Sequence, residues 1–421
     1  MKMRTCLIFI VLVVTGQCNK VFIGDQVLRI HVESDQHIEL LQALEKEQDW
    51  ELDFWLHPVS SELPVDIHVP YASLNAVKDY LKDNNIPFSV MINNLQEMLD
   101  EEQAEMEKNN GRERNLRSFN FGAYHKLETI YSWMDTLVAD YPNVVSKEQI
   151  GLSYENRPMY VLKFSTGGTK RPAIWIDAGI HSREWVSQAS AVWIANKIAS
   201  DYNNDPTVTN LLNAMDIYLM IITNPDGYVY SHTNDRMWRK TRSSNPGSLC
   251  RGTDPNRNWD SGFGGPGTSK NPCSDSYHGP HAHSEVEVQN VVNLIKTHGN
   301  FKSFISIHAY SQLLMYPYGY SCKNAPHQAE LDSVGRAAVN ALSSLYGTSY
   351  KVGSICNIIY QASGGSIDWS YDFGIKYSFA FELRDTGRYG FVLPASQIIP
   401  TASETWLALK HLMMYTHEHP Y

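Results

Sequence analysis

Short apolar runs recur at two different spacings along residues 20–95, which predicts a small α+β unit. Four runs have the strand pattern, and two carry apolar residues at helical spacing. The strand-like runs are VFIGDQVLRIHV, LDFWLHP, PVDIHVPY and PFSVMI. The helix-like runs are HIELLQALEKEQ and LNAVKDYLKDNN. Such a set of elements is about the smallest that buries a core of its own.

The stretch after this unit is polar. NLQEMLDEEQAEMEKNN favours a helix, and the following GRERNLRS contains Arg112, Arg114 and Arg117. We interpret GRERNLRS as an exposed linker that trypsin-like proteases cut. An ordinary surface helix end is the alternative, and the sequence does not choose among the three arginines.

From about residue 119, strand-like apolar runs alternate with amphipathic helical stretches. The strand-like runs are RPAIWIDAGI, DIYLMIITN, KSFISIHAY and KYSFAFELR. The helical stretches are VSQASAVWIANKIASDY, SEVEVQNVVNLIKTHG, ELDSVGRAAVNALSSLYG and ETWLALKHLMMYTHEH. This alternation predicts one α/β domain of about 300 residues around a largely buried sheet.

The first residues, MKMRTCLIFIVLVVTGQC, have a positive start, an apolar core and small residues at the end. They predict a secretory signal peptide over residues 1–18, with a buried N-terminal strand as the alternative. The apolar core is too short to span a bilayer, so we expect a secreted protein with no membrane partner. Four cysteines follow the signal, and they suggest two disulfides with three pairings open.

The formal net charge of -10 at pH 7 is concentrated in one part of the chain. Residues 19–114 hold 20 acidic and 8 basic side chains, whereas acids and bases cancel after residue 114. A basic face for nucleic acid is therefore not indicated.

Polar side chains follow three of the predicted strands. His181 and Glu184 come after AIWIDAGI, His308 after FISI and Glu382 after FAF. Binding crevices form at such strand ends. Two imidazoles and one carboxylate make a zinc set that leaves a fourth position for water, and Glu382 is then available as a base. A surface ion pair at His181 and a core histidine at His308 are the alternatives.

Two further motifs offer groups for binding a carboxylate. RMWRKTRS contains three arginines, and DPNRNWD contains Asn256 and Arg257. An arginine fork binds a carboxylate through two parallel hydrogen bonds. A solvated basic patch and a plain turn are the alternatives. Tyr360 lies in YQASGGSIDWSYDFG, a Gly- and Ser-rich stretch that is either mobile or an ordinary loop.

Seven motifs, in order along the whole chain, resemble those of the pancreatic metallocarboxypeptidases. They are HSREW, NPDGY, RMWRKTRS, DPNRNWD, HAYSQLLMYPYGY, IYQASGGSIDWSY and FELRDTGRYGF. The acidic unit resembles the activation segment of that family. Within the family, the chain is most similar to secreted procarboxypeptidase A, in the form that prefers bulky aromatic ends.

The resemblance implies a fold and a domain organisation. The implied fold is α/β, a mixed central sheet flanked by helices, preceded by a small α+β activation domain. We expect a signal peptide at residues 1–18, an activation propeptide at 19–114 and a catalytic domain at 115–421. The implied function is a zymogen that a trypsin-like protease activates. The enzyme would then remove aromatic or large aliphatic residues from the C-termini of peptides and proteins.

The resemblance also implies catalytic roles, residue by residue. His181, Glu184 and His308 match the ligands of one Zn²⁺, the set already known for carboxypeptidase A. Glu382 matches the general base, and Arg239 matches the residue that stabilises the oxyanion.

Other positions match residues that orient the metal ligands or bind substrate. Asp254 matches a carboxylate that orients the first histidine. Asn256 and Arg257 match the clamp on the substrate's terminal carboxylate, and Tyr360 matches a mobile tyrosine that covers it. Subsites further along the peptide are matched by Arg183, Tyr310 and Phe391.

The resemblance places an apolar residue, Ile367, at the floor of the pocket for the departing side chain. An apolar floor excludes an unpaired cation, so we expect aromatic and aliphatic ends to be preferred. The other pocket positions are Met315, Gly319, Ile355, Gly365 and Ala380. Ser182 and Ala309 depart from the family's usual alanine and serine, and neither change removes a functional group.

Covalent details follow from the same likeness. The expected disulfides are Cys250–Cys273 and Cys322–Cys356. The expected cis peptide bonds are Ala309–Tyr310, Pro317–Tyr318 and Arg384–Asp385.

Two rival functions fit the motifs less well. A catalytically silent binding protein on this fold would lack a ligand or the base, and none is lost. A zinc deacylase acting on small amides would need neither the acidic unit nor the aromatic subsites.

Overall fold

The computed structural model describes residues 19–47, 49–61, 63–116 and 118–421, with residues 110 and 112–116 described by their backbone alone. The predicted signal peptide and Arg117 lie outside the described residues.

The predicted α+β unit has all six of its expected elements. Its strands are β1 (Gln26–Ile30), β2 (Asp53–Leu56), β3 (Val65–Val69) and β4 (Phe88–Ile92). Its helices are α1 (Asp35–Glu45) and α2 (Leu74–Asp83). The sheet has the order β2-β3-β1-β4 with antiparallel neighbours. Leu28, Ile67 and Leu81 are fully buried where the sheet meets the helices.

Helix α3 (Leu95–Leu116) joins this unit to the rest of the chain. Leu95, Leu99 and Met106 are buried along one side of the helix. The predicted linker is therefore wrong up to residue 116, because the helix continues through it. Arginine, glutamate and leucine favour helices, and Gly111 costs only about 1 kcal/mol there.

The larger domain contains eight strands in one mixed sheet. The strands are β5 (Val145–Leu152), β6 (Pro158–Phe164), β7 (Ala173–Ala178), β8 (Asp216–Met220), β9 (Phe301–Ala309), β10 (Leu313–Tyr316), β11 (Lys351–Ser354) and β12 (Tyr377–Leu383). Their order is β11-β10-β12-β9-β7-β8-β6-β5. The four central strands, β12, β9, β7 and β8, are parallel and are the four predicted from the sequence. The edge strands were not predicted.

Helices cover both faces of this sheet. They are α4 (Leu127–Asp140), α5 (Trp185–Asp201), α6 (Pro206–Ala214), α7 (Pro225–Thr233), α8 (Val286–His298), α9 (Gln328–Tyr346), α10 (Ile355–Ile358), α11 (Ser366–Asp372) and α12 (Ile398–Glu418). Short 3₁₀ turns span Tyr71–Ser73, Pro255–Arg257 and Ala395–Gln397. Helices α5, α9 and α12 pack on one face, and α8 and α11 pack on the other. The predicted α/β class is confirmed.

The covalent expectations are also confirmed. Both disulfides form with the expected partners, with Cα–Cα distances of 5.0 Å for Cys250–Cys273 and 5.1 Å for Cys322–Cys356. The cis peptide bonds are Ala309–Tyr310, Pro317–Tyr318 and Arg384–Asp385. Within the described ranges, every helix is too short or too polar to cross a bilayer.

Candidate metal centre and substrate cleft

The central parallel strands bring the predicted chemical groups to one edge of the sheet. Strand β7 leads into the loop with His181 and Glu184, and His308 lies near the end of β9. Glu382 lies on β12 directly opposite His308 in the strand register. Parallel neighbours end at the same edge, so these side chains meet in one crevice.

Three of these side chains form a cluster suited to a metal ion. One ligand atom from each of His181, Glu184 and His308 lies within 4.8 Å of the others, and all three residues are buried. Oε1 of Glu184 lies 2.8 Å from Nδ1 of His181, and Oε2 lies 3.2 Å from Nδ1 of His308. Within the described ranges, this is the sole such cluster of three or more ligand residues.

The second nitrogen of each imidazole is held by a partner, which tests whether the set fits zinc. Nε2 of His181 lies 3.1 Å from Oδ1 of Asp254. Nε2 of His308 lies 3.1 Å from Oγ of Ser306, which donates to Asp177 at 2.6 Å. Such partners fix the tautomer and leave Nδ1 as the ligand atom. The residues present therefore fit a Zn²⁺ ion with one open position.

Asp177 and Ser306 were missed by the sequence analysis. They are register partners on β7 and β9, and both are fully or nearly fully buried. The available signal was a charged residue inside the apolar run AIWIDAG, because a buried carboxylate requires hydrogen-bond partners. The serine partner depends on strand register, which the sequence does not provide.

Charges in the cluster shift the protonation of its carboxyls. Burial opposes the charge of Glu184, but His181 and His308 hold its pKa below the usual range. Desolvation and the neighbouring Glu184 raise the pKa of Glu382 above its usual range, an effect that a cation held by the cluster would oppose. Burial likewise opposes the charge of Asp254, and Arg239 holds its pKa well below the usual range.

Arg239 lies beside the metal cluster. Its Nε and Nη2 donate to Oδ2 of Asp254 at 3.1 and 2.9 Å, and its Nη1 lies 3.8 Å from Oε1 of Glu184. The guanidinium therefore points one edge at Asp254, with its other nitrogen near the ligand carboxylate. The hydroxyl of Ser182, one of the two departures from the family pattern, donates to the carbonyl of Trp238 at 2.6 Å.

The predicted carboxylate clamp lies in the same cleft. Nη2 of Arg257 donates to the hydroxyl of Tyr360 at 2.7 Å, and its Nε donates to the carbonyl of Gly267 at 2.9 Å. Oδ1 of Asn256 accepts from the backbone N–H of Ser366 at 3.0 Å. These groups form a fixed cationic corner, with Tyr360 lying across it.

One cavity of about 310 Å³ connects the metal cluster, the clamp and an apolar recess. The predicted recess residues on its lining are Met315, Ile355, Gly365, Ile367 and Ala380. Gly319 does not line the cavity itself; it lies one layer behind, where an added Cβ would come within 3.0 Å of Ile355. The lining also contains residues that the sequence analysis did not identify, namely Leu313, Ile358, Ile359, Ala362, Ser366 and Asp368.

The N-terminal α+β unit, residues 20–95, covers the open side of this cleft. Asp53 on β2 pairs with Arg183, with Oδ2 2.9 Å from Nη1. The hydroxyl of Tyr310 donates to Asp66 on β3 at 2.7 Å. The ring of Trp55 lies 5.0 Å from that of Phe391, centroid to centroid. The three residues predicted as outer subsites are thus all covered, and the covering residues were not predicted.

Two further contacts connect the N-terminal α+β unit and helix α3 to the larger domain. Arg29 on β1 donates to the carbonyl of Thr386 at 2.7 Å, next to Gly387. Glu102 on α3 pairs with Arg236, with Oε2 2.7 Å from Nε. Side chains from both the four-stranded sheet and the connecting helix α3 therefore contact the larger domain.

Comparison with known proteins gives matches over most of the chain. The zinc carboxypeptidase family matches residues 130–408, and the carboxypeptidase activation peptide family matches residues 28–102. Carboxypeptidase A2 of Mus musculus is 60% identical over 404 residues, 96% of each chain. Carboxypeptidase A1 of Sus scrofa is 57% identical over 415 residues, 99% of each chain.

Solved structures agree with these matches. Thrombin activatable fibrinolysis inhibitor has a TM-score of 0.86 and 36% identity, covering 94% of this chain and 100% of its own. Carboxypeptidase A from Helicoverpa armigera has a TM-score of 0.85 and 25% identity, covering 95% of this chain and 99% of its own.

Proposed function

This chain belongs to the zinc carboxypeptidase family and carries a carboxypeptidase activation peptide, and from that premise we propose how its own residues perform and restrain the reaction. It is an A-type metallocarboxypeptidase made as a zymogen, with zinc as its cofactor. The observation that carries the assignment of roles is a single cavity that joins the metal cluster, Glu382 and the Asn256–Arg257 corner.

We assign the metal to His181, Glu184 and His308. Asp254 and the Ser306–Asp177 pair orient the two imidazoles. When bound, zinc supplies Lewis-acid polarisation of the scissile carbonyl and lowers the pKa of water at the site. Asp177 and Ser306 join the predicted set because they hold the second histidine as Asp254 holds the first.

Glu382 acts as the general base in this proposal. It faces the metal cluster from the neighbouring strand, so its carboxylate takes a proton from the attacking water. The same carboxyl then passes the proton to the leaving amine. Arg239 meets the negative charge that develops on the carbonyl oxygen, because its guanidinium lies beside Glu184.

Asn256 and Arg257 bind the terminal carboxylate of the substrate. A guanidinium fork suits a carboxylate, which explains why only chain ends are cut. In the zymogen the Tyr360 hydroxyl takes one of the Arg257 donors. We propose that Tyr360 releases this donor to the substrate and then covers the bound end.

The apolar recess selects the departing side chain. Its floor is Ile367, with Met315 and Ala380 beside it. A small alanine enlarges the recess, and a flexible methionine repacks around a large ring. We therefore propose that aromatic ends bind best, aliphatic ends less well, and lysine or arginine ends hardly at all, because a buried cation would have no partner.

The activation unit keeps the enzyme latent by occupying the outer subsites. Asp53, Asp66 and Trp55 contact Arg183, Tyr310 and Phe391, which we assign to the upstream part of the peptide. We propose an activation propeptide at residues 19–114 and a catalytic domain at 115–421, separated by a trypsin-like protease at Arg112, Arg114 or Arg117.

We further propose that the protein is secreted. Its two disulfides are typical of an oxidising compartment, which supports this location.

One experiment separates this function from a silent binding protein and from a small-amide deacylase. Metal content is measured on the trypsin-activated protein, together with hydrolysis of a blocked dipeptide that ends in phenylalanine and of its C-terminal amide. We expect one zinc per chain and cleavage of the free acid, with the amide slower by about a hundredfold or more, because the Arg257 clamp loses its charged partner. Equal rates on acid and amide would contradict the clamp, and metal without hydrolysis would indicate a silent protein.

A further inference from the structure

The carboxyl of Asp368 lies in the wall of the cleft and has no part in the mechanism above. It follows Ile367 on α11, is 1% exposed and lines the cavity. Among the described residues, its hydrogen bonds come from backbone N–H groups, and no lysine, arginine or histidine forms an ion pair with it. A buried carboxyl without a counter-charge requires another explanation, because burying it is costly.

Three hydrogen bonds show what this carboxyl holds. The backbone N–H of Gly319 donates to both oxygens of Asp368, each at 2.9 Å. The backbone N–H of Tyr320 donates to Oδ2 at 2.8 Å. Bonds from N–H groups to a carboxylate are roughly twice as strong as neutral ones. Asp368 therefore anchors the turn at residues 318–320, which follows β10.

The 318–320 turn is in turn hydrogen-bonded to the segment that forms one wall of the recess. The carbonyl of Tyr318 accepts from the N–H of Cys356, and the carbonyl of Gly319 accepts from the N–H of Ala362, both at 2.9 Å. A side-chain bond from Gln361 to the carbonyl of Tyr320 adds a third link at 2.7 Å. Three hydrogen bonds therefore link residues 355–362 to the 318–320 turn, next to the Cys322–Cys356 disulfide.

Residues 355–362 supply much of the lining of the recess. Its cavity-lining residues are Ile355, Ile358, Ile359, Tyr360 and Ala362. The turn and the segment are in close contact, because a Cβ on Gly319 would come within 2.8 Å of the Ala362 carbonyl. A displacement of the turn therefore alters the contacts that position the wall.

We propose that Asp368 is a positioning residue of the specificity pocket. Its carboxylate holds the 318–320 turn, and through it the wall at residues 355–362, at the separation that a bulky terminal side chain needs. The inference rests on the proposed pocket and extends it, since it identifies what sets the width of the recess.

The protonation of Asp368 supports the same view. Burial raises its pKa to about 7, against the hydrogen bonds from Tyr320 and Gly319, and Asp372 on the same helix adds to the rise. The titratable groups beside it are Asp372, together with Tyr318 and Tyr320 on the facing turn, whose own pKa values are raised by burial and by Asp372. The bonded Cys356 does not titrate. A protonated carboxyl is a weaker acceptor, so the hold on the turn weakens below about pH 7.

The test uses the trypsin-activated enzyme with blocked dipeptides that end in tryptophan or in alanine. Asp368→Asn should raise KM about tenfold for the tryptophan end, with kcat nearly unchanged, because only a large side chain needs the full width. The KM for the alanine end should change less than twofold. The matched control is Glu287→Gln, which neutralises another buried carboxyl with a pKa of about 7, far from the cleft on α8. This control should leave both substrates unchanged.

The pH dependence supplies a second readout that does not require the variant. Titrations of the metal centre affect both substrates and cancel in the ratio of their kcat/KM values. In the natural enzyme, the tryptophan-to-alanine ratio should fall several-fold from pH 8 to pH 6. The fall should persist in Glu287→Gln and disappear in Asp368→Asn. If Asp368→Asn fails to fold, the natural enzyme alone decides.

Two results would overturn the positioning role: a tryptophan-to-alanine ratio of kcat/KM that stays constant with pH, or an Asp368→Asn enzyme whose kcat/KM falls equally for both substrates. The pocket itself is tested separately by the preference of the natural enzyme for tryptophan over arginine ends. A loss of that preference would refute the proposed specificity, whereas a flat pH ratio with the preference intact would refute only the role of Asp368.

Discussion

At the scale of single residues, the sequence located the polar groups near the ends of buried strands and missed buried groups whose partners come from other segments. His308 and Glu382 were found because each follows an apolar run. Asp368 and Ser306 were missed because their partners come from other segments, and those contacts depend on register and loop path. The roles of Arg239 and Tyr360 came from the family likeness, since their motifs also suit a surface patch or a loop.

Glu382→Gln is the residue-scale test of the base. The amide cannot accept the proton of the attacking water, so kcat should fall by about 10² to 10⁴-fold. Zinc content should remain at one per chain, because Glu382 lies outside the ligand set. Steady-state rates and metal analysis of the same preparation check this. Normal turnover with full zinc would remove Glu382 from the mechanism.

At the scale of elements, periodicity predicted the buried strands and not the edges. Strands β7, β8, β9 and β12 read as continuous apolar runs because helices cover both of their faces. Strand β5 has one buried residue, Val145, and its other positions are exposed or half-buried. Strands β10 and β11 have only four residues each. Helix α3 continued through the expected linker because its residues favour a helix more strongly than one glycine opposes it.

The buried carboxyl of Glu287 gives α8 a predictable pH dependence. Burial raises its pKa from 4.5 to about 7, and its Oε2 has no hydrogen-bond partner in the part of the chain that the structure describes. Between these values the folded chain binds more protons than the unfolded chain, so the free energy of unfolding falls as pH rises through this range.

Glu287→Gln should remove that penalty. The variant should match the natural protein near pH 4 and exceed its free energy of unfolding by on the order of 3 kcal/mol at pH 8. Denaturant unfolding at the two pH values measures the difference. A difference that does not grow with pH would contradict the assignment.

At the scale of the whole molecule, the sequence indicated an acidic unit and a neutral domain but not how they meet. Charge alone did not identify the contacts, because few of the acids whose side chains the structure describes in this unit pair with specific groups on the larger domain, namely Asp53, Asp66 and Glu102. The sheet of the activation unit lies over Arg183, Tyr310 and Phe391, and its connecting helix runs to the proposed cutting sites at Arg112 and Arg114.

Trypsin treatment should therefore raise activity toward long peptides. Cutting at Arg112 or Arg114 requires local opening of the last turns of α3, which helix ends permit at low cost. Activity on a long peptide is compared before and after trypsin, with trypsin that was inhibited beforehand as the control. An uncut protein as active as the cut one would refute latency.

The central claim is that one cavity joins the zinc chemistry to a recess with an apolar floor. The most direct measurement is kcat/KM of the activated enzyme on blocked dipeptides that end in tryptophan, phenylalanine, leucine or arginine. We predict the highest kcat/KM for the tryptophan and phenylalanine ends, a moderately lower kcat/KM for the leucine end, and almost no hydrolysis of the arginine end. Ile367→Asp should shift activity toward the arginine end. A natural enzyme that prefers the arginine end would contradict the account.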